Sequence, residues 1–364
     1  MNAELDSQMM GRAIELSQRG FPAPNPHVGC VIARGSHIVG EGWHEFAGGD
    51  HAEAAALKQT GESAKGATAY VTLEPCNHYG RTPPCSKALI EAGVERVVIA
   101  CPDPNPKASG GSAALRQAGV EVEVGLMTDE AAEVNRLFLF AQKCHRPYVI
   151  IKAAVTLDGF IARPDGGSKW ITGEEARAAG HRLRAEAGCV LVGRETVERD
   201  NPALTARIDG VVNQPRRVVL DPRGRLSGRE QVFGAPGALW YVGSDQPRLD
   251  SVNAPLTEGR FELPSLLGDL FQRGEIGVLV EGGGRTIRGF LEAELAEEIH
   301  LFIAPKLFGE GRSWAGGTAM EDLSQRGWWF KSTDSVGEDI HVVLHRTLTW
   351  NKENRRVVET NEQR

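Results

Sequence analysis

The sequence predicts an α/β protein of two domains, and three observations carry that prediction. Its 364 residues exceed what one hydrophobic core usually organises. Short apolar runs alternate with helical patterns along most of the chain, the mark of α/β folds. Each half also keeps its chemistry-bearing residues at strand-to-helix corners: His and Cys in the first half, a glycine run in the second. The boundaries read as a first domain over residues 1–146, a second over 147–349 and a disordered tail over 350–364, which is rich in Asn, Glu and Arg.

The first domain opens with a helix over Asp6 to Gln18. Met9, Met10, Ala13, Ile14 and Leu16 recur close to a helical period, and Gly20 stops it. Pro22 to Pro26 form a rigid turn. Cys30 to Ala33 read as a strand, Gly35-Ser36 as a hairpin turn and His37 to Trp43 as the returning strand. A helix carrying His51 and Glu53 runs to Gly61. Ala67 to Leu73 form a strand that delivers Glu74-Pro75-Cys76, and Cys85 to Glu91 open the next helix. Val94 to Ala100 read as a strand ending at the turn Pro102-Asp103-Pro104-Asn105-Pro106, at the end of the sheet where α/β folds place ligands. Ser112 to Ala118, Val120 to Val124 and Asp129 to Ala141 complete the alternation.

Within that frame, His51-Ala52-Glu53 followed by Pro75-Cys76 and Cys85 is the ligand set of a zinc-dependent deaminase. His51, Cys76 and Cys85 supply three ligands and leave the fourth tetrahedral position open, as catalytic zinc requires. Glu53 is not a ligand; it shuttles a proton beside the metal. Residues two apart lie about 200° apart around a helix. His51 and Glu53 therefore cannot share a site on the helix wall, but they can at its first turn, where the positive helix end favours an anion. The usual signature has two residues between the cysteines; here there are eight, Asn77 to Pro84. That insertion carries His78 and Arg81, both able to donate to an anion, and reads as a substrate-recognition loop. Asn25 and Asn105, each between two prolines, are ordinary turn residues by type. Flanking this site, they also suit the amide edges of a pyrimidine.

Bulk properties exclude several classes. No apolar run approaches the ~18 residues of a spanning helix, so no membrane partner is expected. The polar, acidic start, Met1 to Asp6, is no signal peptide. A net charge of −7 argues against a nucleic-acid partner, although other zinc deaminases act on RNA or DNA. The six cysteines are few and scattered; beyond the two metal ligands they read as reduced core thiols of a cytoplasmic protein.

The second domain follows a short basic link at Lys143 to Pro147. Tyr148 to Val155 form an apolar strand leading into Thr156-Leu157-Asp158-Gly159. Thr172 with Glu175 reads as a capping box for a helix to about Ala187. Cys189 to Gly193 form a buried strand, and a helix begins at Gly193 with a phosphate-friendly end. Asp200 to Arg207 read as a loop. Val218 to Asp221 and Ala238 to Val242 are strands. Ile276 to Glu281 run into Gly282-Gly283-Gly284, which open a helix to about Ala293; Glu297 to Ala304 form a last strand. Such a glycine run cradles phosphate or simply turns the chain, and it lacks the spacing of a dinucleotide fingerprint.

These motifs together resemble the bifunctional riboflavin-biosynthesis deaminase–reductases. In the first half the marks are Asn25-Pro26-x-Val28-Gly29, His51-Ala52-Glu53, Pro75-Cys76 through Cys85 and Asp103-Pro104-Asn105-Pro106. In the second they are Lys152-x-Ala154-x-x-Leu157-Asp158-Gly159, Ser168-x-Trp170-Ile171-Thr172, Thr196 through Arg207 and Glu281-Gly282-Gly283. The resemblance implies a cytidine-deaminase-like three-layer α/β domain followed by a dihydrofolate-reductase-like α/β domain. It implies zinc and NADPH as cofactors and a phosphoribosyl pyrimidine as substrate, deaminated and then reduced to a ribityl chain. Asn25, His78, Arg81 and Asn105 would touch substrate in the first half. In the second, Ser168, Arg184, Leu204, Arg207 and Glu281 would face substrate, while Ala154, Trp170, Thr196, Asp200, Gly282, Gly283 and Gly284 would hold NADPH. Asp158 and Glu281 are the candidates for a proton donor. The sequence is compatible with a homo-oligomer and does not specify one. One departure stands out: the family's Gly-Arg-Gly run after Asp-Pro-Asn-Pro is here Ser109-Gly110-Gly111-Ser112, with no cation.

Two rival readings fit the residues less well. A nucleoside, nucleobase or tRNA deaminase with an appended domain conflicts with the acidic charge and the Arg81 loop. A structural zinc module has no use for Glu53.

Overall fold

The computed structural model of the chain describes residues 3–79, 83–167, 170–243, 250–317 and 323–347. It divides into two compact units, Met1–Arg146 with Asp209–Asn213, and Pro147–Ile208 with Gln214–Arg364. Arg81, Ser168 and the tail over 350–364 lie outside the described residues.

The first unit runs α1 (Ala3–Ser17), β1 (Gly29–Arg34), β2 (His37–Trp43), α2 (Ala52–Thr60), β3 (Thr68–Leu73), α3 (Cys85–Glu91), β4 (Arg96–Cys101), α4 (Gly111–Gln117), β5 (Glu121–Val124), α5 (Thr128–Val134) and α6 (Arg136–Cys144). Its sheet order is β2-β1-β3-β4-β5. Strand β1 is antiparallel to both its neighbours, β2 and β3, and β3, β4 and β5 are parallel. Ala52 and Ala56 of α2, Leu89 of α3 and Leu115 of α4 pack on Ile32, Val71, Val97 and Ile99 of the sheet. The opposite face carries α1, whose Met10, Ala13 and Leu16 are fully buried. This is the three-layer arrangement that the family resemblance implied.

A buried ion pair locks α1 to the sheet. Arg96 forks onto both oxygens of Asp6 at 2.9 Å, and Tyr70 donates to Asp6 at 2.6 Å. The Arg96 guanidinium holds the Asp6 carboxyl below its ordinary range. The helix read over Asp129 to Ala141 is two helices, broken at Asn135. That side chain is withdrawn to clamp His27: it accepts from the His27 N–H and donates to the His27 carbonyl, both at 2.8 Å. The clamp anchors the Pro-rich turn that presents Asn25.

The second unit runs β6 (Tyr148–Thr156), β7 (Phe160–Ala162), α7 (Glu174–Ala187), β8 (Cys189–Gly193), α8 (Arg194–Asp200), β9 (Arg216–Asp221), β10 (Ala238–Gly243), β11 (Val252–Ala254), β12 (Leu256–Thr257), β13 (Arg260–Phe261), α9 (Leu263–Gln272), β14 (Gly277–Val280), α10 (Gly284–Glu292), β15 (Glu298–Ala304), β16 (Arg312–Ser313), β17 (Trp328–Val336) and β18 (Asp339–Arg346). Nine strands form one sheet in the order β11-β10-β9-β8-β14-β6-β15-β18-β17. It is parallel from β11 to β15; β18 and β17 close it antiparallel. Leu266, Leu267 and Leu270 of α9 and Ile287, Phe290 and Leu291 of α10 cover one face. Val190, Val192, Val219, Trp240 and Val242 face a second core with Val197 and Leu204 on the other.

One local expectation is corrected, and one element is new. The capping box at Thr172 does not form. The N-cap of α7 is Gly173, whose N–H donates to Asp339 at 2.7 Å, so a carboxylate from β18 replaces the local cap. The hairpin β17–β18 was not read from sequence. Strand β17 is exposed along most of its length and carries a bulge between Phe330 and Ser332, so no clean alternation marks it.

Candidate active site

His51 is the N-cap of α2, and Glu53 sits in the first turn, as the two-residue spacing required. Strand β3 ends at Leu73 and places Cys76 one turn beyond; Cys85 is the first residue of α3. The three ligand atoms lie within 4.8 Å of one another. His51 Nδ1 is 3.6 Å from Cys76 Sγ and 3.3 Å from Cys85 Sγ. Zinc bonds of ~2.05 Å to nitrogen and ~2.3 Å to sulfur at a tetrahedral angle put those atoms about 3.6 Å apart. The triad therefore fits zinc without rearrangement.

The electrostatics agree. The Cys76 thiol, hydrogen-bonded by Cys85 and by His51, is lowered to about 4, while the same pairing with Cys76, together with burial, pushes Cys85 up. The Cys85 N–H also donates to Cys76 Sγ at 3.4 Å. Glu53 is 3% exposed, and burial raises its carboxyl above the usual range, which suits a group that must take up and release a proton near neutral pH.

Around the triad stand the other expected residues. Asn25 is half-buried, with its Nδ2 3.0 Å from His44 Nε2. The His44 ring meets the His51 ring edge-on at 5.4 Å, which brings Asn25 to within one side chain of the metal ligands. His78 is exposed on the insertion. Asn105 works as a turn residue: its N–H donates to Asp103 at 2.8 Å, and its side chain accepts from the Lys107 N–H at 3.1 Å. Burial raises Asp103 to about 6.

The run that replaces Gly-Arg-Gly has a packing role. A Cβ on Gly111 would lie 1.8 Å from the Pro75 carbonyl oxygen, next to Cys76. Glu74 fastens the same loop by accepting from the Asp103 N–H at 3.2 Å and the Ser112 N–H at 2.9 Å. Glu74 and His44 escaped the sequence reading because neither belongs to a spaced motif.

In the second unit the glycine run reads clearly. A Cβ on Gly282 would lie 2.5 Å from Thr286 Cβ, and one on Gly284 would lie 2.4 Å from the Ser313 carbonyl. These two glycines permit close packing. A Cβ on Gly283, the N-cap of α10, would meet Thr196 Oγ1 only at 3.9 Å, so this position has room where its two neighbours have none. The start of α10 thus lies beside Thr196 of α8.

Beside them Arg184 forks onto Glu281, with Nε and Nη2 each 2.7 Å from a carboxylate oxygen, and Nη1 donates to the Thr205 carbonyl at 2.9 Å. Arg184 and Lys152 hold Glu281, although buried, down at about 2. Glu281 is therefore held as a carboxylate by its partners. Asp158 accepts from Thr156 and from the Phe308 and Gly309 N–H groups, which hold it below its ordinary range. Lys152, deep in the unit with its Nζ 5.7 Å over the Phe302 ring, is lowered by burial. Ala154 is half-buried on β6 opposite Phe302. Trp170 is 68% exposed beneath Arg177, its carbonyl held by Lys306 at 2.8 Å. Asp200 ends α8 and is exposed, as is Arg207. Leu204 departs from expectation: its side chain is 3% exposed in the core, so only its backbone, at φ 54°, can face a ligand.

Fold and site together define a zinc deaminase unit joined to a reductase unit of dihydrofolate-reductase-like fold. Residues 3–101 match the cytidine and deoxycytidylate deaminase zinc-binding region, and residues 147–342 match the RibD C-terminal domain. The riboflavin biosynthesis protein RibD of Aquifex aeolicus is 42% identical over 95% of this chain and 100% of its own length; that of Escherichia coli strain K12 is 39% identical over 92% and 98%. The solved structure of Acinetobacter baumannii RibD, form 1, superposes with a TM-score of 0.86 at 40% identity, covering 95% of this chain and all of that one. The chain belongs to the RibD family of bifunctional riboflavin-biosynthesis deaminase–reductases, and its cofactors are zinc and NADPH. Among the described residues no helix is long and apolar enough to cross a membrane.

Proposed function

We propose that the first unit removes the 2-amino group of 2,5-diamino-6-(5-phosphoribosylamino)pyrimidin-4(3H)-one by hydrolysis, and that the second then reduces the ribosyl group to ribityl. The observation that carries the first step is buried Glu53 beside three ligand atoms spaced for zinc. The Thermotoga maritima relative, 35% identical with a TM-score of 0.84, is described as a diaminohydroxyphosphoribosylaminopyrimidine deaminase and 5-amino-6-(5-phosphoribosylamino)uracil reductase.

His51, Cys76 and Cys85 would hold zinc, which would supply Lewis-acid activation of water. Glu53 would take a proton from the attacking water and pass it to the 2-amino nitrogen, so that the carbon–nitrogen bond breaks and ammonia leaves as the ring carbonyl forms. Asn25 and Asn105 pair with the pyrimidine, while His78 and Arg81 meet the ribose phosphate. In the second unit NADPH would supply the hydride for the ribose C1′. The Gly283 N–H and the Thr196 hydroxyl would hold its phosphates, Gly282 and Gly284 would shape that corner, and Ala154, Trp170 and Asp200 would line it. Exposed Arg207 and the remaining donors of braced Arg184 take the substrate phosphate. Ser168, the Leu204 backbone and Glu281 complete the substrate side.

None of the six cysteines is in a disulfide, which suits a reducing, cytoplasmic setting. Trp329 and Phe330, 45% and 70% exposed on edge strand β17, favour a homo-oligomer, to be checked by light scattering.

The test follows ammonia release and absorbance at 340 nm with the diaminopyrimidine substrate. Ammonia should appear without NADPH, and NADPH should be consumed only after deamination. Ammonia with no NADPH loss would refute the second step; no ammonia from zinc-loaded enzyme would refute the first.

A further inference from the structure

His44 belongs to none of the motifs, yet it is 3% exposed in the deaminase unit and touches the metal ligand His51 edge-on. Its Nδ1 lies 2.8 Å from the Asp50 carbonyl oxygen. A carbonyl can only accept, so Nδ1 carries the hydrogen. The Asn25 amide nitrogen, which only donates, faces Nε2 at 3.0 Å, so Nε2 is the acceptor.

The partner of Nε2 is the side-chain amide of Asn25 at 3.0 Å. An acceptor there selects the NH₂ end of the amide, so Nδ2 donates to His44 and Oδ1 is the end left over. Among the described residues Asn25 Oδ1 has no hydrogen-bond partner. The sense of each bond therefore runs one way, from Asn25 to His44 to the Asp50 carbonyl.

We infer that His44 is a positioning residue: it fixes the Asn25 amide with its carbonyl oxygen as the available end, so that Asn25 reads a hydrogen-bond donor on the pyrimidine. A ring that presents an acceptor at that point leaves Oδ1 facing a lone pair and is rejected. This rests on the reading that Asn25 touches substrate, and it adds which end of Asn25 does so and what sets it.

The test is a double-mutant cycle in the full-length, zinc-loaded enzyme with Asn25→Ala, His44→Ala, the double variant and His44→Gln. Readouts are KM and kcat for ammonia release, zinc content, and NADPH turnover on the deaminated product. Removing a hydrogen bond to substrate should raise KM about tenfold in Asn25→Ala. His44→Ala should raise KM by up to the same factor, with zinc and kcat nearly unchanged and reductase turnover intact. The double variant should be no worse than Asn25→Ala, because His44 acts through Asn25. His44→Gln, which can still offer an acceptor, should recover part of the loss. Losses that multiply in the double variant overturn the inference, as does zinc loss in His44→Ala and His44→Gln alike. An Asn25→Ala enzyme with unchanged KM removes the underlying reading of Asn25, and the inference with it.

Discussion

Gly111→Ala should abolish deamination without touching the zinc ligands or Glu53. The added methyl would stand 1.8 Å from the Pro75 carbonyl oxygen and 2.9 Å from its carbonyl carbon. Real contacts of that kind do not fall below 3.0 Å, so the gap must open by at least 3.0 − 1.8 = 1.2 Å. Both sides are tied down. Pro75 is bonded to Cys76, a zinc ligand, and the Asn77 N–H donates to the Ala108 carbonyl at 2.9 Å. On the other side Ser112 is held to Glu74 at 2.9 Å. A metal site tolerates only about 0.2 Å in its ligand distances. A displacement several times larger must either move Cys76 or break the loop that encloses the site, and overpacking of this kind costs about 1–3 kcal/mol. The assay is zinc per chain by atomic absorption, with ammonia release and NADPH turnover on the deaminated product measured on the same sample. Zinc and ammonia release should fall together while reductase turnover stays. A Gly111→Ala enzyme with one zinc per chain and unchanged ammonia release would refute the argument that this glycine is required by close approach to the ligand loop.

Three further outcomes follow from the two sites. Glu53→Gln should retain zinc and lose ammonia release by about 10²–10⁴-fold, the usual worth of a positioned acid–base group; retained turnover would remove Glu53 from the proton path. Arg184→Ala strands the Glu281 carboxylate, and breaking such a buried pair costs about 3–5 kcal/mol. Urea unfolding followed by tryptophan fluorescence would show it, since Trp43 alone of the seven tryptophans lies before residue 147; a midpoint like that of the parent would contradict it. The third concerns acid. Glu281 falls from an ordinary 4.5 to about 2 in the folded chain and His341 from 6.5 to about 4, the latter chiefly through burial. Both are depressed, so the unfolded chain binds more protons, and the stability each contributes is present above its unfolded value and lost as pH falls. The second unit should therefore weaken from about pH 6.5 to 4 through His341 and from about 4.5 to 2 through Glu281. His341→Phe should flatten the upper window in denaturant midpoints taken across that range, and an unchanged slope would exclude His341 as its source.

The zinc site was legible because its chemistry fixes residue type and spacing together. His51, Glu53, Cys76 and Cys85 leave few alternatives once placed on a helix start and a strand end. The α/β order was legible for the same reason, since fully apolar runs such as Val149 to Ile151 and Val190 to Val192 have little choice but to be buried strands. What escaped was set by partners distant in sequence. Asn135 breaks a helix because it serves His27, 108 positions away, and Gly173 caps α7 through Asp339, 166 positions on. Arg184 and Glu281 were each read as facing substrate, with nothing local to show that each is the other's first partner.

The two units solve one positioning problem with different parts of the residue. Both bring their chemistry to corners where a strand hands over to a helix, because backbone there is held on one side by the sheet and left open on the other. Deamination needs ligand atoms with a soft, deprotonable character and a carboxyl of raised pKa, and side chains alone supply these. His51 therefore caps α2, and Glu53 and Cys85 stand in the first turns of α2 and α3. On the proposed reading the reductase corner holds phosphate, which backbone N–H groups can do without a side chain, and there the same position is given to Gly283 and its flanking glycines. The consequence is a difference in tolerance. At the zinc corner a change of residue type removes the chemistry, as in Glu53→Gln. At the glycine corner the addition of any side chain is enough: a Cβ on Gly282 meets Thr286, and one on Gly284 meets the Ser313 carbonyl.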